Sequence, residues 1–345
     1  MQKKINVLVV DDSAYMRKVI SDMLQSDGNI FVVDTARDGL DAIEKVKKWN
    51  PQVVTMDVEM PKLDGLSALQ RIMKECPTPV IMLSSLTMEG SDTTIRALTM
   101  GAVDFIPKPS GAISLDIQKV REELIVKIKV AARAHVFSTP GVIVSPVVKT
   151  TPVVCVGTVP TKLVVIGSST GGPNALQHVI PRLPGNLPAA VLVVQHMPPG
   201  FTKSLAQRLN DTSQMEVVEA REGDVLHCQK VYVAPGGYHM FLHTRTIIGL
   251  NQDPPVHSVR PSVDVTLESV VNFYGSQIIG VILTGMGYDG SKGMAMIKKE
   301  GGKTIAQNEE TCVVYGMPRV VVEMGKADKV LPVQEIADEI VNMVM

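Results

Sequence analysis

The chain has 345 residues, more than one hydrophobic core usually organises, so two domains are expected. Hydrophobic residues at 45% and charged residues at 20% exclude disorder over most of the length. With 34 Lys+Arg against 35 Asp+Glu, the formal charge of −1 argues against nucleic-acid binding driven by bulk charge.

Met1-Gln2-Lys3-Lys4-Ile5 leads directly into an apolar run, without the body or cleavage site of a signal peptide. Short apolar runs at 5–10, 30–33, 53–56, 80–83 and 103–106 alternate with helix-like stretches at 13–25, 39–48, 65–74 and 91–100. A fifth helix is expected from 113 to about 133. Apolar strands separated by helices predict a parallel sheet covered on both faces. Residues 137–160 then carry Pro140, Pro146, Pro152 and Pro160 with one charge, Lys149, and read as an extended, fairly stiff connector.

After Thr161 the alternation resumes, with strands at 163–166, 189–194, 231–234 and 278–283. Helices are expected to start near Pro173, Pro199, Pro261, Gly287 and Val333. The stretch 215–250 reads as β-rich, with a turn at Pro235-Gly236-Gly237. The fold class is therefore α/β in both halves. A five-stranded parallel (βα)5 domain is assigned to 3–122, a helix end and Pro/Val-rich linker to 123–160, and a doubly wound α/β domain to 161–345. The last has a mostly parallel sheet and a β-hairpin region. No stretch offers the ~20 continuous apolar residues of a bilayer span. Cys76, Cys155, Cys228 and Cys312 lie far apart, which suits buried thiols in a reducing compartment. A cytoplasmic protein without membrane insertion is expected.

Asp11 and Asp12 follow the first strand, Asp57 ends the third, Ser84-Ser85 the fourth and Lys108 the fifth. Taken singly, acidic residues after strands are ordinary turn formers and helix caps. In an open parallel sheet, however, these strand ends share one edge, so the residues converge. Three carboxylates together call for a hard cation, and Mg²⁺ fits oxygen ligands. A lysine and a hydroxyl beside it could hold phosphoryl oxygens, with Asp57 as the nucleophile that becomes an acyl phosphate. The segment resembles the response-regulator receiver family over roughly 3–122. The matching text is Val9-Val10-Asp11-Asp12-Ser13, Met56-Asp57-Val58-Glu59-Met60-Pro61-Lys62-Leu63-Asp64-Gly65 and Pro107-Lys108-Pro109. The resemblance implies Asp57 as phospho-acceptor, with Asp11, Asp12, Asp57 and the Glu59 backbone carbonyl on the metal. It also implies that Ser84 and Lys108 contact the phosphoryl group and that Phe105 is the aromatic switch residue.

In the second half, Ile166-Gly167-Ser168-Ser169-Thr170-Gly171-Gly172 links a strand to a helix and satisfies Gly-x-Ser-x-Gly around Ser169. The loop alone fits three readings: a nucleophile elbow, a phosphate cradle at a helix N-terminus, or a plain tight turn. His196 follows the next strand, in Gln195-His196-Met197-Pro198-Pro199-Gly200. Asp289 lies in the glycine-rich turn Leu283-Thr284-Gly285-Met286-Gly287-Tyr288-Asp289-Gly290. A lone histidine or aspartate is usually structural, but a hydroxyl, an imidazole and a carboxylate on strand-end loops can assemble an acyl-transfer triad. Their chain order differs from the Ser…Asp…His of α/β-hydrolases, which makes that fold a poor match.

These segments, with Val233-Ala234-Pro235-Gly236-Gly237-Tyr238-His239 and Pro261-Ser262-Val263-Asp264, look like the catalytic domain of the chemotaxis protein-glutamate methylesterases (CheB family) over about 161–345. A receiver ahead of this domain is that family's usual arrangement. The resemblance implies a receiver-controlled serine esterase, with Ser169 attacking glutamate γ-methyl esters and deamidating glutamines on chemoreceptors. His196 would shuttle the proton and Asp289 orient the imidazole; the Met286 backbone N–H would serve the oxyanion, with Thr170 beside the triad. It further implies a chemotaxis histidine kinase as phosphodonor, Mg²⁺ in the receiver, no cofactor in the esterase and a monomer. Ser168 adjoins the nucleophile where a small residue such as alanine is often found, which leaves two adjacent serines to distinguish.

Other readings have less support. A transcription factor would need a basic output domain, yet residues 161–345 hold 15 Lys+Arg and 17 Asp+Glu. A dinucleotide module would use 167–172 for phosphates but lacks Gly-x-Gly-x-x-Gly and leaves His196 and Asp289 unexplained. His239 and His243 sit in β-like sequence without a His-Glu-x-x-His run, which argues against a zinc hydrolase. His178, His227 and His257 have no partner assigned, and the 19 methionines are read as core filling.

Overall fold

The structure is a computed structural model that describes residues 4–84, 87–108, 117–136 and 159–345. The connector at 137–158, the expected start of the fifth helix at 113–116 and Ser85 lie outside the described residues. Two compact units divide the chain, Met1–Gly141 and Val142–Met345. No helix among the described residues is long and apolar enough to cross a membrane.

The first unit runs β1 (Ile5–Val10), α1 (Ala14–Gln25), β2 (Ile30–Ala36), α2 (Gly39–Trp49), β3 (Val53–Asp57), α3 (Gly65–Glu75), β4 (Val80–Ser84), α4 (Met88–Thr99), β5 (Asp104–Pro107) and α5 (Ile117–Ala131). All pairings are parallel, in the order β2-β1-β3-β4-β5. Chain direction across the sheet reverses between β1 and β3, so Asp11, Asp12 and Asp57 emerge side by side. Ser13, Asp38, Asp64 and Thr87 each cap the following helix through the side chain. The Thr87 cap starts α4 three residues before the expected 91. The first turn, Met88-Glu89-Gly90, carries no apolar period that a sequence pattern could register.

The second unit runs β6 (Lys162–Ser168), α6 (Gly172–Val179), β7 (Ala189–Gln195), α7 (Phe201–Thr212), β8 (Glu216–Glu219), β9 (Lys230–Val233), β10 (His239–Leu242), β11 (Ile248–Asn251), α8 (Val263–Tyr274), β12 (Ile278–Ile282), α9 (Ser291–Lys299), β13 (Lys303–Gln307), α10 (Met317–Glu323), β14 (Lys329–Leu331) and α11 (Val333–Val344). Among the described residues, seven strands form a wholly parallel sheet in the order β14-β13-β12-β6-β7-β9-β8. The antiparallel pair β10–β11 stands apart from it. All seven residues of β7 are buried, as expected for a strand covered on both faces. Each such Val or Leu contributes about 1.5–3 kcal/mol by leaving water. Lys162 at the start of β6 donates to the Met343 and Val344 carbonyls (2.9 and 2.8 Å), satisfying the exposed end of α11.

Gly65 places α3 directly beneath the Asp57 loop. A Cβ there would lie 2.0 Å from the Asp57 carbonyl oxygen, a backbone atom that cannot swing aside. Gly65→Ala should therefore destabilise the first unit by about 2 kcal/mol through overpacking. In thermal unfolding followed by calorimetry, the transition of that unit should move down while that of the second stays fixed.

Candidate active site

Two clusters occupy the carboxyl edges of the two sheets. In the first unit, Asp11, Asp12 and Asp57 bring carboxylate oxygens within 4.8 Å of one another. Arg17 holds the loop after β1 by donating to the Asp11 and Asp12 carbonyls (2.8 and 2.9 Å). Lys108 Nζ reaches Asp57 Oδ2 at 2.6 Å and Asp11 Oδ2 at 3.1 Å. Burial pushes the Asp57 carboxyl up to about 6; the Lys108 ammonium opposes this and the Asp11 charge adds to it. Lys108 is itself desolvated, but its two carboxylate partners hold it above the usual lysine value.

A divalent cation is what a receiver domain implies here, and the donor set fits one. Among the described residues Asp11 Oδ2 is buried without a hydrogen bond, with Lys108 Nζ 3.1 Å away and the Ser13 N–H on the other oxygen, and the ligands are all hard oxygens. Glu59 follows two residues after Asp57, and its N–H approaches Asp57 Oδ1 at 3.4 Å. Ser84 is fully buried, with its hydroxyl accepting from Thr94 Oγ1 of α4 at 2.6 Å. Phe105 is 3% exposed, its ring 5.3 Å from the Lys127 ammonium.

In the second unit, β12, β6 and β7 are adjacent, and Asp289, Ser169 and His196 follow their carboxyl ends. The two serines have different surroundings. Ser168, the last residue of β6, is buried, and its hydroxyl donates to Gln195 Oε1 at 2.7 Å. Gln195 in turn donates to the Ser169 carbonyl at 2.9 Å. The Ser169 N–H donates to the Thr284 carbonyl at 3.0 Å, so its backbone is pinned from both flanking loops. The Ser169 side chain is half-buried, and among the described residues its hydroxyl has no hydrogen-bond partner. Gly171 turns the loop at φ +78°, and a Cβ at Gly172 would lie 1.9 Å from Gln195 Oε1. Larger residues at either position would break the elbow.

His196 Nε2 lies 2.8 Å from Asp289 Oδ2, with both side chains nearly buried. A carboxylate at Nε2 places the proton on that nitrogen, leaving Nδ1 able to accept another. Asp289 receives four further hydrogen bonds. Its Oδ1 accepts from Ser262 Oγ (2.8 Å), Asp264 N–H (3.1 Å) and Gly290 N–H (3.1 Å), and its Oδ2 from Val263 N–H (2.7 Å). Burial pushes this carboxyl up, but the contact with His196 and the N–H groups outweigh it and hold it below the usual value. Three of the donors, from Ser262, Val263 and Asp264, belong to the N-terminus of α8, where Ser262 is the cap. The Pro-Ser-Val-Asp run signals that helix start in the sequence, but not which carboxylate it receives.

Met286 is exposed, and its backbone N–H has no acceptor among the described residues. The preceding Gly285 abuts Ser169: a Cβ there would lie 2.8 Å from Ser169 Cβ. The Thr170 carbonyl accepts from Thr284 Oγ1 at 3.0 Å, binding this turn to the serine loop. Gln195, Ser262, Val263 and Thr284 are thus working parts that sequence reasoning did not identify. His239 and His243 take different partners: His239 Nδ1 accepts from Ser262 N–H, and His243 lies 2.8 Å from Glu222. His257, without an assigned partner in the sequence, lies 3.2 Å from Asp264.

Residues 164–340 match the family model described as CheB methylesterase, and 7–118 that of the response regulator receiver domain. A protein-glutamate methylesterase/protein-glutamine glutaminase of Symbiobacterium thermophilum is 56% identical, the alignment covering 100% of this chain and 98% of the relative. One from Pyrococcus horikoshii is 48% identical over 100% and 95%. The crystal structure of the Thermotoga maritima CheB methylesterase catalytic domain is 50% identical, covers 52% of this chain and 97% of that one, and has a TM-score of 0.52.

The raised Asp57 carboxyl carries a pH consequence. Protons and Mg²⁺ compete for the same oxygens, and a carboxyl with a raised pKa keeps its proton to higher pH. Mg²⁺ affinity of the full chain should fall as pH drops through about 6, then roughly tenfold per unit below it. Calorimetric Mg²⁺ titrations between pH 5 and 8 check this; a constant affinity would contradict it.

Proposed function

This chain belongs to the CheB methylesterase family, with a response regulator receiver domain ahead of its esterase domain, and from that premise we propose a phosphorylation-activated serine esterase acting on chemoreceptors. The enzyme is a protein-glutamate methylesterase and protein-glutamine glutaminase. The observation that carries the residue assignment is the His196–Asp289 contact of 2.8 Å on the sheet edge that also presents an unengaged Ser169 hydroxyl.

In the proposed reaction, Ser169 Oγ attacks the side-chain carbonyl carbon while His196 Nδ1 takes its proton. Asp289, kept ionised by its donors, stabilises the resulting imidazolium. The oxyanion is received by the Met286 N–H, with Thr170 bordering the site. His196 returns the proton to the leaving oxygen and methanol departs, leaving a Ser169 acyl ester. Water, deprotonated by His196, then releases glutamate. With glutamine as substrate the leaving group is ammonia, and the same residues serve.

In the receiver, Asp57 would take the phosphoryl group from a histidine kinase, with Lys108 and Ser84 contacting its oxygens. Asp11, Asp12, Asp57 and the Glu59 carbonyl would hold Mg²⁺, which offsets charge on the phosphoryl group. Phosphorylation replaces the carboxylate charge of −1 with a phosphoryl group of about −2 and brings three acceptor oxygens. Drawing the Ser84 hydroxyl away from Thr94 would then shift α4 and Phe105, and so lift a restraint that the unmodified receiver places on the esterase.

Methanol release from methylated chemoreceptor, with and without a small phosphodonor and Mg²⁺, tests both parts. Ser169→Ala and His196→Ala should each lower turnover by ~10⁴ or more, because triad members act as a unit. Ser168→Ala should retain turnover within about tenfold while losing roughly 1–2 kcal/mol of stability with its buried hydrogen bond. Equal losses for the two serines would overturn the assignment. Asp57→Asn should abolish the stimulation by phosphodonor and leave basal turnover in place.

A further inference from the structure

The mechanism above leaves a second buried carboxylate of the esterase edge unused. Asp264, in the first turn of α8, is 2% exposed. One of its oxygens lies within 4.8 Å of both an Asp289 oxygen and a His257 ring nitrogen. Such a trio could attract a cation, but its acceptors are already engaged by protein donors. Asp289 has the five contacts described above. Asp264 Oδ1 accepts from Gly293 N–H at 2.8 Å, and Oδ2 lies 3.2 Å from His257 Nε2. The trio is a hydrogen-bonded network.

Its layout makes Asp264 a strut. The Oδ1 contact ties the first turn of α8 to the first turn of α9, the helix that follows Asp289. The Asp264 N–H is itself one of the donors to Asp289 Oδ1, so displacement of this residue displaces the catalytic carboxylate. Burial and the nearby Asp289 charge both push the Asp264 carboxyl up, opposed by Gly293 and His257. Among the described residues, His257 is the one side-chain donor to Asp264, whose carboxylate also accepts from the Gly293 N–H.

The placement of His257 is fixed from two sides. It sits in a turn closed by reciprocal Val256 and Val259 hydrogen bonds (3.1 and 2.9 Å), with its own φ at +52°. Its ring meets the Tyr288 ring edge-on at 4.5 Å and 65°, and Tyr288 immediately precedes Asp289. The side chain thus touches the Asp289 turn and the α8 N-terminus together.

We propose that His257 is a positioning residue for the ester-cleaving triad, acting through Asp264 to hold the α8 N-terminus against Asp289. The proposal rests on the triad assigned above. The test uses the full chain carrying His257→Ala, His257→Gln or His257→Asn, assayed for methanol release from methylated chemoreceptor. His257→Ala should lower kcat about 10- to 100-fold, the effect of a misplaced catalytic group, with KM within twofold. Glutamine keeps an N–H that reaches Asp264 and should recover most of the loss, whereas asparagine is too short and should not. If the alanine variant fails to fold, the contrast between glutamine and asparagine decides.

A second readout needs no substrate. The downfield proton resonance of His196 Nε2–H, identified by its disappearance in His196→Ala, should shift in His257→Asn and return in His257→Gln. Turnover within twofold of the parent in every His257 variant, or equal losses in glutamine and asparagine with an unmoved resonance, would overturn the proposal. Ser169→Ala separates the two levels. Residual release in that variant overturns the triad itself, whereas abolished release beside unaffected His257 variants overturns only the role of His257.

Discussion

A carboxylate taken out of water must be surrounded by donors, and the esterase unit is organised around meeting that need at Asp289. Four N–H or O–H groups and one imidazole converge on its two oxygens. Three of them belong to the start of α8, so the position of that helix is set by a charge contributed by a loop 25 residues later. Removing any one donor would leave part of a buried charge uncompensated, at about 1–3 kcal/mol. The same donors hold the carboxyl ionised, and an ionised group is what an imidazole needs opposite it when it accepts a proton.

The receiver applies the same topology to a different end. Asp57, at the end of β3, and Asp289, in the loop between β12 and α9, are both buried aspartates at a carboxyl edge, yet the two carboxyls are shifted in opposite directions. Asp289 also has a carboxylate nearby, that of Asp264 within 4.8 Å, but a helix N-terminus, the Gly290 N–H and an imidazole all donate to it and outweigh burial. Asp57 has one lysine, a single long N–H contact and the Asp11 charge beside it. Its environment leaves the carboxylate under-satisfied, which suits the retention of a cation and the phospho-acceptor role proposed for it. Equal residue types are therefore shifted in opposite directions largely by the number of N–H groups aimed at them.

The parts legible in the sequence are those fixed by local pattern. In the first unit the apolar runs at 5–10 and 53–56 coincide with β1 and nearly with β3, because strands buried on both faces are apolar throughout. The helix starts at Gly65 and Val333 were likewise readable from their flanking residues. What escaped is structure made by tertiary pairing. β13 reads Lys-Thr-Ile-Ala-Gln, and its polar ends are tolerated because Thr304 bonds Asp328 and Lys326 while Gln307 receives Thr284 N–H. β8 and β14 are short edge strands, and α10 has only seven residues, too few to show a period. The expected mostly parallel sheet is parallel throughout, with the hairpin outside it. The elbow pattern and the resemblance both point to Ser169 rather than Ser168; what the sequence could not show is that Gln195, paired with Ser168 across β6 and β7, engages the Ser168 hydroxyl.

The orientation of the imidazole follows from strand order. β7 carries His196 and β12 leads to Asp289, with β6 between them. Neighbouring strands are about 4.8 Å apart, so histidine and aspartate must meet across roughly twice that distance. Nδ1 lies next to the ring carbon joined to the main chain, whereas Nε2 is the nitrogen farther out along the side chain. The His196 N–H donates to the Ser168 carbonyl at 3.1 Å, which holds the histidine backbone against the end of β6. The distal nitrogen is then the one that can span β6 to Asp289, and the proximal nitrogen is left for the strand in between, whose next residue is Ser169. In the chymotrypsin-type arrangement the ring is used the other way round, Nε2 toward serine and Nδ1 toward aspartate. Either placement can serve the proton relay proposed above, because imidazole offers one donor and one acceptor whichever end faces the carboxylate. Neither chain order nor choice of nitrogen identifies such a site; here the lateral order β12-β6-β7 bears on which nitrogen faces the carboxylate.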